Sequence, residues 1–333
     1  MQKFCTDFST LKTRKEFRDF IIKNLALPQE YSQLLAESAK CNTYVETISN
    51  KADNLHLKIS KEYIESLQPS YSNYAINLIK KQRLGLVDLV CDITYENFYG
   101  EINGLHIHPW TGEEGVKGKF CYLVVAMLYR NKIIPFYAVV LRIGCSKAEL
   151  IGKAISYCKK IGIKIGKILL DRGFYSGEVI DKIKISKVNY IILVPRRELF
   201  KCMLESTEES VVIEHEIAYN KDFTKHYVDT DIALVKDILD YDWIFATNLS
   251  IRDIEKYVPV YKKRWNIETM FRVHDEARIK TKSKNHIIRM FYFIIGLLLV
   301  LLWNLYAKQE YSFKKFTIII ADENKGIKRN REN

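Results

Sequence analysis

Residues 84–94, LGLVDLVCDIT, and 164–174, KIGKILLDRGF, decide the fold class of this chain of 333 residues. Both are short apolar runs rich in Val, Leu and Ile, a composition typical of strands that are buried on both faces of a sheet. Each run carries an aspartate near its end, Asp92 or Asp171. The two runs therefore predict a buried sheet with carboxylates at the ends of its strands.

The segments around these two runs complete an alternating pattern. Residues 120–129 and 133–142 are strand candidates joined by a short polar turn at 130–132, which predicts a β-hairpin. A helix capped by Ser146 precedes the second buried run, and a helix opened by Ser176 leads into a further strand, NYIILVP. The order strand, hairpin, helix, strand, helix, strand predicts an α/β fold, a mixed sheet with helices on its faces.

Changes of pattern along the chain predict five parts. The first part, residues 1–82, repeats apolar residues at helical spacing and predicts a helical domain, which serves either DNA binding or packing and assembly. The third part, residues 199–250, alternates polar and apolar residues, as in VVIEHEIAY, which predicts half-exposed antiparallel strands. The parts are a helical N-terminal domain (1–82), the first part of the α/β core (83–198), a small β insertion (199–250), the C-terminal helices of the core (251–308) and a polar, frayed tail (309–333).

The composition is that of a globular protein with excess positive charge. Hydrophobic residues make up 48% of the chain, and 52 Lys and Arg against 40 Asp and Glu give a formal net charge of +12. Such an excess suits a polyanionic partner, nucleic acid first and an anionic membrane surface second. The seven cysteines are scattered without a CxxC pair, and the start of the chain lacks the apolar stretch of a signal peptide. Both features indicate a cytoplasmic protein without a disulfide framework or zinc ribbon.

One segment, MFYFIIGLLLVLLWNLY at 290–306, is nearly all apolar and almost long enough to span a bilayer. A helix that is hydrophobic all round is either a membrane span or a buried core helix. In a large α/β domain with no second such segment, we expect a core helix and no membrane partner.

Residues 261–284, YKKRWNIETMFRVHDEARIKTKSK, predict a long helix. At 100° per residue, one face carries Tyr261, Arg264, Glu268, Arg272 and Asp275. A lone acid among bases suits a metal-dependent phosphoryl-transfer site, in which the acid holds a divalent cation and the bases hold a phosphate backbone. The alternative is a solvated helix in which Glu268 and Arg272 form an i,i+4 ion pair.

Asp92 and Asp171 stand at the C-terminal ends of buried strands, where open α/β sheets place their sites. Together with Glu268 they supply three carboxylates, which can hold two divalent ions about 4 Å apart. Mg²⁺ suits them because it is a hard ion that prefers oxygen ligands. Each acid also has a structural alternative, since Asp92 can cap a turn and the other two can pair with neighbouring arginines. Asp88 competes with Asp92 on the same strand face, and we prefer Asp92 because it sits at the strand's exit.

Three motifs in order resemble the DDE transposases of prokaryotic insertion sequences, in the branch with a Tyr-x2-Arg-x3-Glu-x6-Lys signature. Residues Tyr261, Arg264 and Glu268 match that signature. The sequence DIT at 92–94 matches the D-x-T context of the first family acid, and LLDRGF at 169–174 matches the context of the second. The resemblance covers about residues 84–306. It implies a ribonuclease H-like core with a β insertion between the second and third acids.

The resemblance implies an enzyme that binds the terminal inverted repeats of its element, cuts a strand with a metal-activated water and joins the exposed 3′-hydroxyl to target DNA. It implies that Asp92, Asp171 and Glu268 are catalytic and bind two Mg²⁺ ions, with Mn²⁺ as a possible substitute. It also implies a homodimer on paired DNA ends. The basic residues and one tyrosine expected to contact DNA are Tyr261, Arg264, Arg272, Lys280, Lys282 and Lys284.

The chain departs from the family pattern at one position, because Asp275 stands where the signature has Lys. Arg272, Arg278 or Lys280 can supply the missing positive charge. The departure leaves open a second hypothesis, a DNA-binding protein descended from a transposase that no longer catalyses.

Two further features have a functional and a structural interpretation. His106 and His108 form an H-x-H pair that could ligate a transition metal, but no Cys or third His lies near them in the sequence, which favours a loop or strand pair without metal. Trp110, Trp265 and Tyr175 could stack on bases, and core packing is the preferred interpretation for Trp265.

Overall fold

A computed structural model describes residues 8–80, 85–129, 132–276, 278–307 and 311–329 of the chain. The turn residues Arg130 and Asn131 of the predicted hairpin lie outside these ranges.

The nine strands of the described ranges form one mixed sheet. Its bounds are β1 Val87–Phe98, β2 Ile107–Pro109, β3 Gly118–Tyr129, β4 Lys132–Val140, β5 Ile165–Leu170, β6 Asn189–Leu193, β7 Val211–Lys221, β8 Thr224–Val235 and β9 Trp243–Thr247.

The strand order places β1 near the middle of the sheet. From one edge it is β2, β3, β1, β5, β6, β9, β8, β7, with β4 also paired to β3. The pairs β1–β5 and β5–β6 are parallel, whereas β1–β3, β3–β4, β6–β9 and β7–β8 are antiparallel. The predicted hairpin is the β3–β4 pair, and the predicted α/β fold with a mixed sheet is confirmed. The order β4–β3–β1–β5–β6 is the ribonuclease H-like core that the resemblance implied.

Twelve α-helices flank this sheet in the described ranges: α1 Phe8–Asp19, α2 Gln29–Cys41, α3 Val45–Ile48, α4 Lys51–Lys58, α5 Lys61–Lys80, α6 Lys147–Lys160, α7 Gly177–Ile185, α8 Glu198–Glu205, α9 Tyr257–Lys262, α10 Trp265–Glu276, α11 His286–Tyr306 and α12 Phe313–Arg329. The two predicted caps are present. The hydroxyl of Ser146 accepts from the amides of Ala148 and Glu149, and that of Ser176 accepts from the amide of Val179. A side-chain acceptor satisfies amides that the first helical turn leaves unpaired.

The β-rich segment predicted at 199–250 extends the main sheet. β9 pairs with β6 of the core and also with β8, so the segment continues the sheet to its far edge. β7 alternates between half-buried and exposed residues, as the sequence predicted. All five residues of β9 are buried, and the prediction of half-exposed strands was therefore wrong for β9. Its pairing on both sides explains the difference.

The apolar segment forms α11, the one helix of the described residues that is long and apolar enough to cross a membrane, and most of it is buried inside the protein. Its polar side chains also find partners in the protein. The Asn304 amide donates to the Ile133 carbonyl at 3.0 Å, and the Arg289 guanidinium donates to the Glu96 carboxylate at 3.1 Å. α11 lies against α1, α5, α10, α12 and β4 and serves as a core helix.

The helices α1, α5 and α12, from the first and last described segments, pack against α11. The hydroxyls of Tyr71 and Ser72 in α5 donate to the carbonyls of Pro135 and Phe136 on β4, so the N-terminal helices lie directly on the sheet. Within the tail that was expected to be polar and frayed, residues 313–329 form α12, which packs against α2. Its buried residues Phe313, Phe316, Ile320 and Ala321 recur at helical spacing.

Candidate active site

Parallel pairing of β1 with β5 brings two aspartates to the same level of the sheet. The pairing ends with Cys91 opposite Leu170, so Asp92 and Asp171 follow at neighbouring positions. Asp171 comes directly after β5, as predicted. Asp92 does not stand at the exit of its strand, because β1 continues to Phe98 through its antiparallel pairing with β3. Asp92 is accessible because β5, the parallel neighbour of β1, ends at Leu170, and not because β1 itself ends there.

The third acid, Glu268, lies in the first turn of α10. The single helix predicted over 261–284 was wrong, since α9 ends at Lys262 and α10 begins at Trp265. Between them the amide of Arg264 donates to the Tyr261 carbonyl at 2.8 Å, in a tight turn. The shared helical face proposed from the sequence therefore does not exist. The turn directs Arg264 toward the two aspartates instead.

All three carboxylates contact one guanidinium group. Nη1 of Arg264 lies 3.0 Å from Oδ2 of Asp92, and Nη2 lies 3.9 Å from Oδ1 of Asp171. Nη2 also donates to Oε1 of Glu268. The exposed fractions of the side chains rise from 3% for Arg264 through 16% for Asp92 and 34% for Asp171 to 54% for Glu268. The cluster is thus an acidic site, closed by Arg264 from within and open to solvent at Glu268.

Burial and neighbouring charges shift the pKa values of two members of the cluster, Asp92 and Arg264. It raises the pKa of Asp92 to about 6, although Arg264 and the amide of Ile93 favour the charged form; Asp171 and Glu268 add to the rise. That amide donates to Oδ1 of Asp92 at 2.8 Å and fixes its orientation. Burial alone would lower the pKa of Arg264, but Tyr261 and the carboxylates raise it above its ordinary value. The guanidinium therefore stays charged among the acids.

Tyr261 and Arg264, which were predicted to contact DNA, do not reach the surface in this structure. Tyr261 is fully buried, and its hydroxyl accepts from Nε of Arg264 at 2.9 Å. Both side chains instead orient the acidic site from the protein side.

Asp88, the competitor of Asp92, is occupied elsewhere. Its carboxylate forms an ion pair with Lys167 at 2.8 Å, near the start of β1. Asp171 does not depend on Arg172 as a partner, since its ion pair is with Arg264. Glu268 pairs with Arg264, one of the neighbouring arginines that the structural alternative proposed as its partner, and this pair is part of the cluster.

The donor set of the cluster fits a divalent cation, because three carboxylates supply hard oxygen ligands around a centre that already holds positive charge. Among the described residues, no three His, Cys, Asp or Glu side chains stand at metal-binding spacing. In this structure Arg264 lies among the three acids and balances part of their charge. The residues therefore fit a divalent ion by chemistry, and Arg264 must share or yield its contacts to admit one.

A second charged site lies further along β1. The segment 278–284, which we call the strap, connects α10 to α11 without helical structure. It lines a cleft of about 360 Å³. We call this the basic cleft; the charged residues that line it, together with Tyr44, are Glu96, Arg278, Lys280, Lys282, Lys284 and Arg289. Of the predicted DNA contacts, three thus lie in the basic cleft, while Arg272 is exposed on α10.

Sequence reasoning missed Glu96, Arg289 and Tyr44, and it named Arg278 only as one possible source of the missing positive charge. Glu96 is four positions after Asp92, so both side chains lie on the same strand face, a periodicity that could have identified it. Arg278 pairs with Glu96 at 3.6 Å and with Asp275 at 3.5 Å. Tyr44 comes from the N-terminal helical region, and no local signal in the sequence connects it to the strap.

The H-x-H histidines and the candidate stacking residues have structural partners. The ring of His106 stacks on that of His286, with centroids 3.6 Å apart, so a third His is near in space although it is distant in sequence. Trp265 is exposed, contrary to the preferred core interpretation, and Lys262 Nζ lies 4.9 Å from its ring centroid. Trp110 is also exposed and covers Lys119. Tyr175 packs edge-on against Phe200.

Comparison with known proteins agrees with this arrangement. The model of the transposase DDE domain family matches residues 144–303, a range that includes Asp171 and Glu268 and begins after Asp92. The fold is similar to that of the piggyBac transposase in a cryo-EM structure of its synaptic complex with hairpin DNA. The TM-score is 0.54 at 12% identity, over 96% of this chain and 81% of that chain. No curated protein matches the chain. Residues 144–303 thus match the transposase DDE domain, which confirms the resemblance of the sequence motifs to the DDE transposases.

Proposed function

We propose that the protein is a transposase that cuts DNA at the ends of an insertion sequence and joins the 3′-hydroxyl ends to target DNA by metal-dependent phosphoryl transfer. The observation that supports this most is the common contact of Asp92, Asp171 and Glu268 with Arg264. A buried acid with a raised pKa, as Asp92 has here, is common at functional sites.

In this proposal the three carboxylates hold two Mg²⁺ ions, for which Mn²⁺ can substitute, and the ions supply activation of the nucleophile and stabilisation of the leaving oxygen. Asp92 is held by the amide of Ile93 and by Arg264, and it provides the fixed end of the site. Glu268 is the most exposed of the three and faces the side from which DNA would approach. Arg264 keeps the carboxylates together by orienting and neutralising them.

The partners in this proposal are the terminal inverted repeats, the target DNA and a second copy of the chain on paired ends. Arg272, Lys282 and Lys284 are exposed and would bind backbone phosphates. The protein would act in the cytoplasm of a prokaryotic cell, where chromosomal DNA is accessible.

A cleavage assay tests the proposal. The purified protein is incubated with Mg²⁺ and a supercoiled plasmid that carries the natural DNA on both sides of its gene, and new 3′ ends are mapped. We expect cuts at paired positions, reduced at least about 100-fold in Glu268→Gln and Asp171→Asn, because each removes a carboxylate that would hold the cations which stabilise the transition state.

Asp88→Asn is the matched control, since it alters an aspartate on the same strand face without touching the cluster. Cleavage by Glu268→Gln at the wild-type rate contradicts the proposed site. A wild-type protein that binds these ends but never cuts them indicates the second hypothesis, a DNA-binding remnant of a transposase.

A further inference from the structure

The basic cleft carries more positive charge than its neighbours balance. Five cationic side chains and one carboxylate, Glu96, line it, and Arg278 also pairs with Asp275 at its side. The Glu96 carboxylate is buried and already bound by Arg289 at 3.1 Å and by the Tyr122 hydroxyl at 2.8 Å. Burial, and then the nearby Arg278, lower the pKa of Lys280. The cations therefore repel one another, and an anion bound among them would relieve this repulsion.

The strap is fixed in place by its backbone and not by its lysines. The amide of Val45 donates to the Lys280 carbonyl at 3.0 Å, and the amide of Lys282 donates to the Glu46 carboxylate at 3.0 Å. On the other side Arg289 donates to the carbonyls of Thr281 and Ser283. These contacts leave the lysine side chains available while they hold the chain that carries them.

The alternation of the strap places its cations together. Lys280, Lys282 and Lys284 are spaced by two and all line the cleft. An extended chain points such residues to one side, whereas a helix would separate successive ones by about 200°. The sequence KTKSK gives one row of cations only because the segment is not helical.

The cleft lies along the same strand as the acidic site. Glu96 and Asp92 are on one face of β1, four residues apart, which corresponds to about 13 Å. One strand of B-DNA carries a phosphate about every 3.4 Å along its axis, so a strand held at the acids reaches the cleft within about four phosphates. Two exposed tyrosines, Tyr44 and Tyr99, stand at the cleft and can cover a sugar or base beside that phosphate.

We infer that the basic cleft is a second DNA contact, which grips a backbone phosphate away from the acidic site, and that the N-terminal helical region takes part in it through Tyr44. The inference rests on the proposed function in taking DNA as the ligand. At about 360 Å³ the cleft admits a single nucleotide unit and not a duplex.

The test measures binding without cleavage. A short fluorescein-labelled DNA duplex of arbitrary sequence is titrated with protein in EDTA, in the Glu268→Gln background, at several salt concentrations between about 50 and 200 mM. We expect Lys282→Ala with Lys284→Ala to lower the slope of log affinity against log salt by about 1, for the phosphate that the variant no longer binds. Affinity at the middle of the range should fall at least about tenfold.

Lys225→Ala, on the remote β8 strand, is the matched control and should leave the slope unchanged. Tyr44→Ala should weaken binding, while Tyr44→Phe retains the ring and binds like the parent. Equal slopes for the double variant and Lys225→Ala overturn the inference, provided that thermal melting shows both folded. Loss of cleavage at the acids cannot mimic this result, because no metal is present, and a parent protein without DNA affinity refutes the proposed function instead.

Discussion

The guanidinium of Arg264 lies 3.0 Å from the carboxylate of Asp92, a residue 172 positions earlier in the chain. The same guanidinium reaches Asp171 and Glu268, and it is almost completely buried. One arginine thus stabilises an arrangement of three acids that would otherwise repel one another. A divalent cation held by the same carboxylates would compete with this guanidinium for their oxygens.

Replacing Arg264 should destabilise the metal-free protein and increase the stabilisation that a bound divalent cation gives. Arg264→Gln leaves Asp92 buried without its counter-ion, and breaking a buried pair in this way costs about 3 kcal/mol. Urea unfolding measures the change in stability. Ca²⁺, which binds carboxylates, should stabilise the variant more than the wild type, since in the variant Ca²⁺ no longer competes with the guanidinium. Equal Ca²⁺ effects on both proteins contradict the idea that arginine and cation compete.

The pKa of Asp92 predicts a pH dependence of stability with a definite sign. The folded-state pKa is about 6 and the ordinary pKa of an aspartate is 3.8, so between these values the folded protein holds a proton that the unfolded chain releases. The contribution of Asp92 to stability therefore falls as pH rises through this window, by up to about 3 kcal/mol. The free energy of unfolding of Asp92→Asn relative to wild type should increase from pH 4 to pH 7. Asp88→Asn serves as control, and parallel curves for Asp92→Asn and wild type contradict the prediction.

The Glu96–Arg289 pair in the basic cleft should show strong coupling. Both side chains are buried, and Arg289 also donates to two strap carbonyls. Arg289→Met should cost about 3–5 kcal/mol because it leaves the Glu96 charge and the carbonyls unpaired. Glu96→Gln should cost less, since Arg289 keeps its carbonyl partners. A double-mutant cycle in urea measures the interaction free energy, and additive losses within about 0.5 kcal/mol contradict direct coupling.

Gly296 sets the distance between α10 and α11. A Cβ at this position would overlap the ring of His274, whose buried Nε2 has no hydrogen-bond partner among the described residues. Gly296→Ala should therefore destabilise the protein by about 1–3 kcal/mol through overpacking. Because α10 carries Glu268, displacement of the helix should also lower cleavage. In the double variant with His274→Ala the smaller side chain makes room, and its destabilisation should be less than the sum of the two single effects. Strict additivity indicates that the two residues do not collide.

The local pattern of the sequence predicted much of this architecture. Apolar runs around Asp92 and Asp171 predicted buried strands, and Ser146 and Ser176 predicted helix starts, because each signal depends on neighbours in the chain. The local pattern failed where distant segments decide the conformation. It predicted one helix from Tyr261 to Lys284, whereas contacts of the strap with Val45 and Glu46 hold residues 278–284 in a non-helical form.

Burial was the other property that the sequence did not reveal. Tyr261 and Arg264 suit phosphate binding by the chemistry of their side chains, but they lie beneath the acids. The sequence by itself determined the buried strands β1 and β5, the capped helices α6 and α7 and the choice of the three acids as candidates, since periodicity and motifs are local. Only the tertiary structure decided that one guanidinium joins those acids and that Tyr44 meets the lysines of the strap, because such contacts depend on how β1, α10 and the N-terminal helices pack.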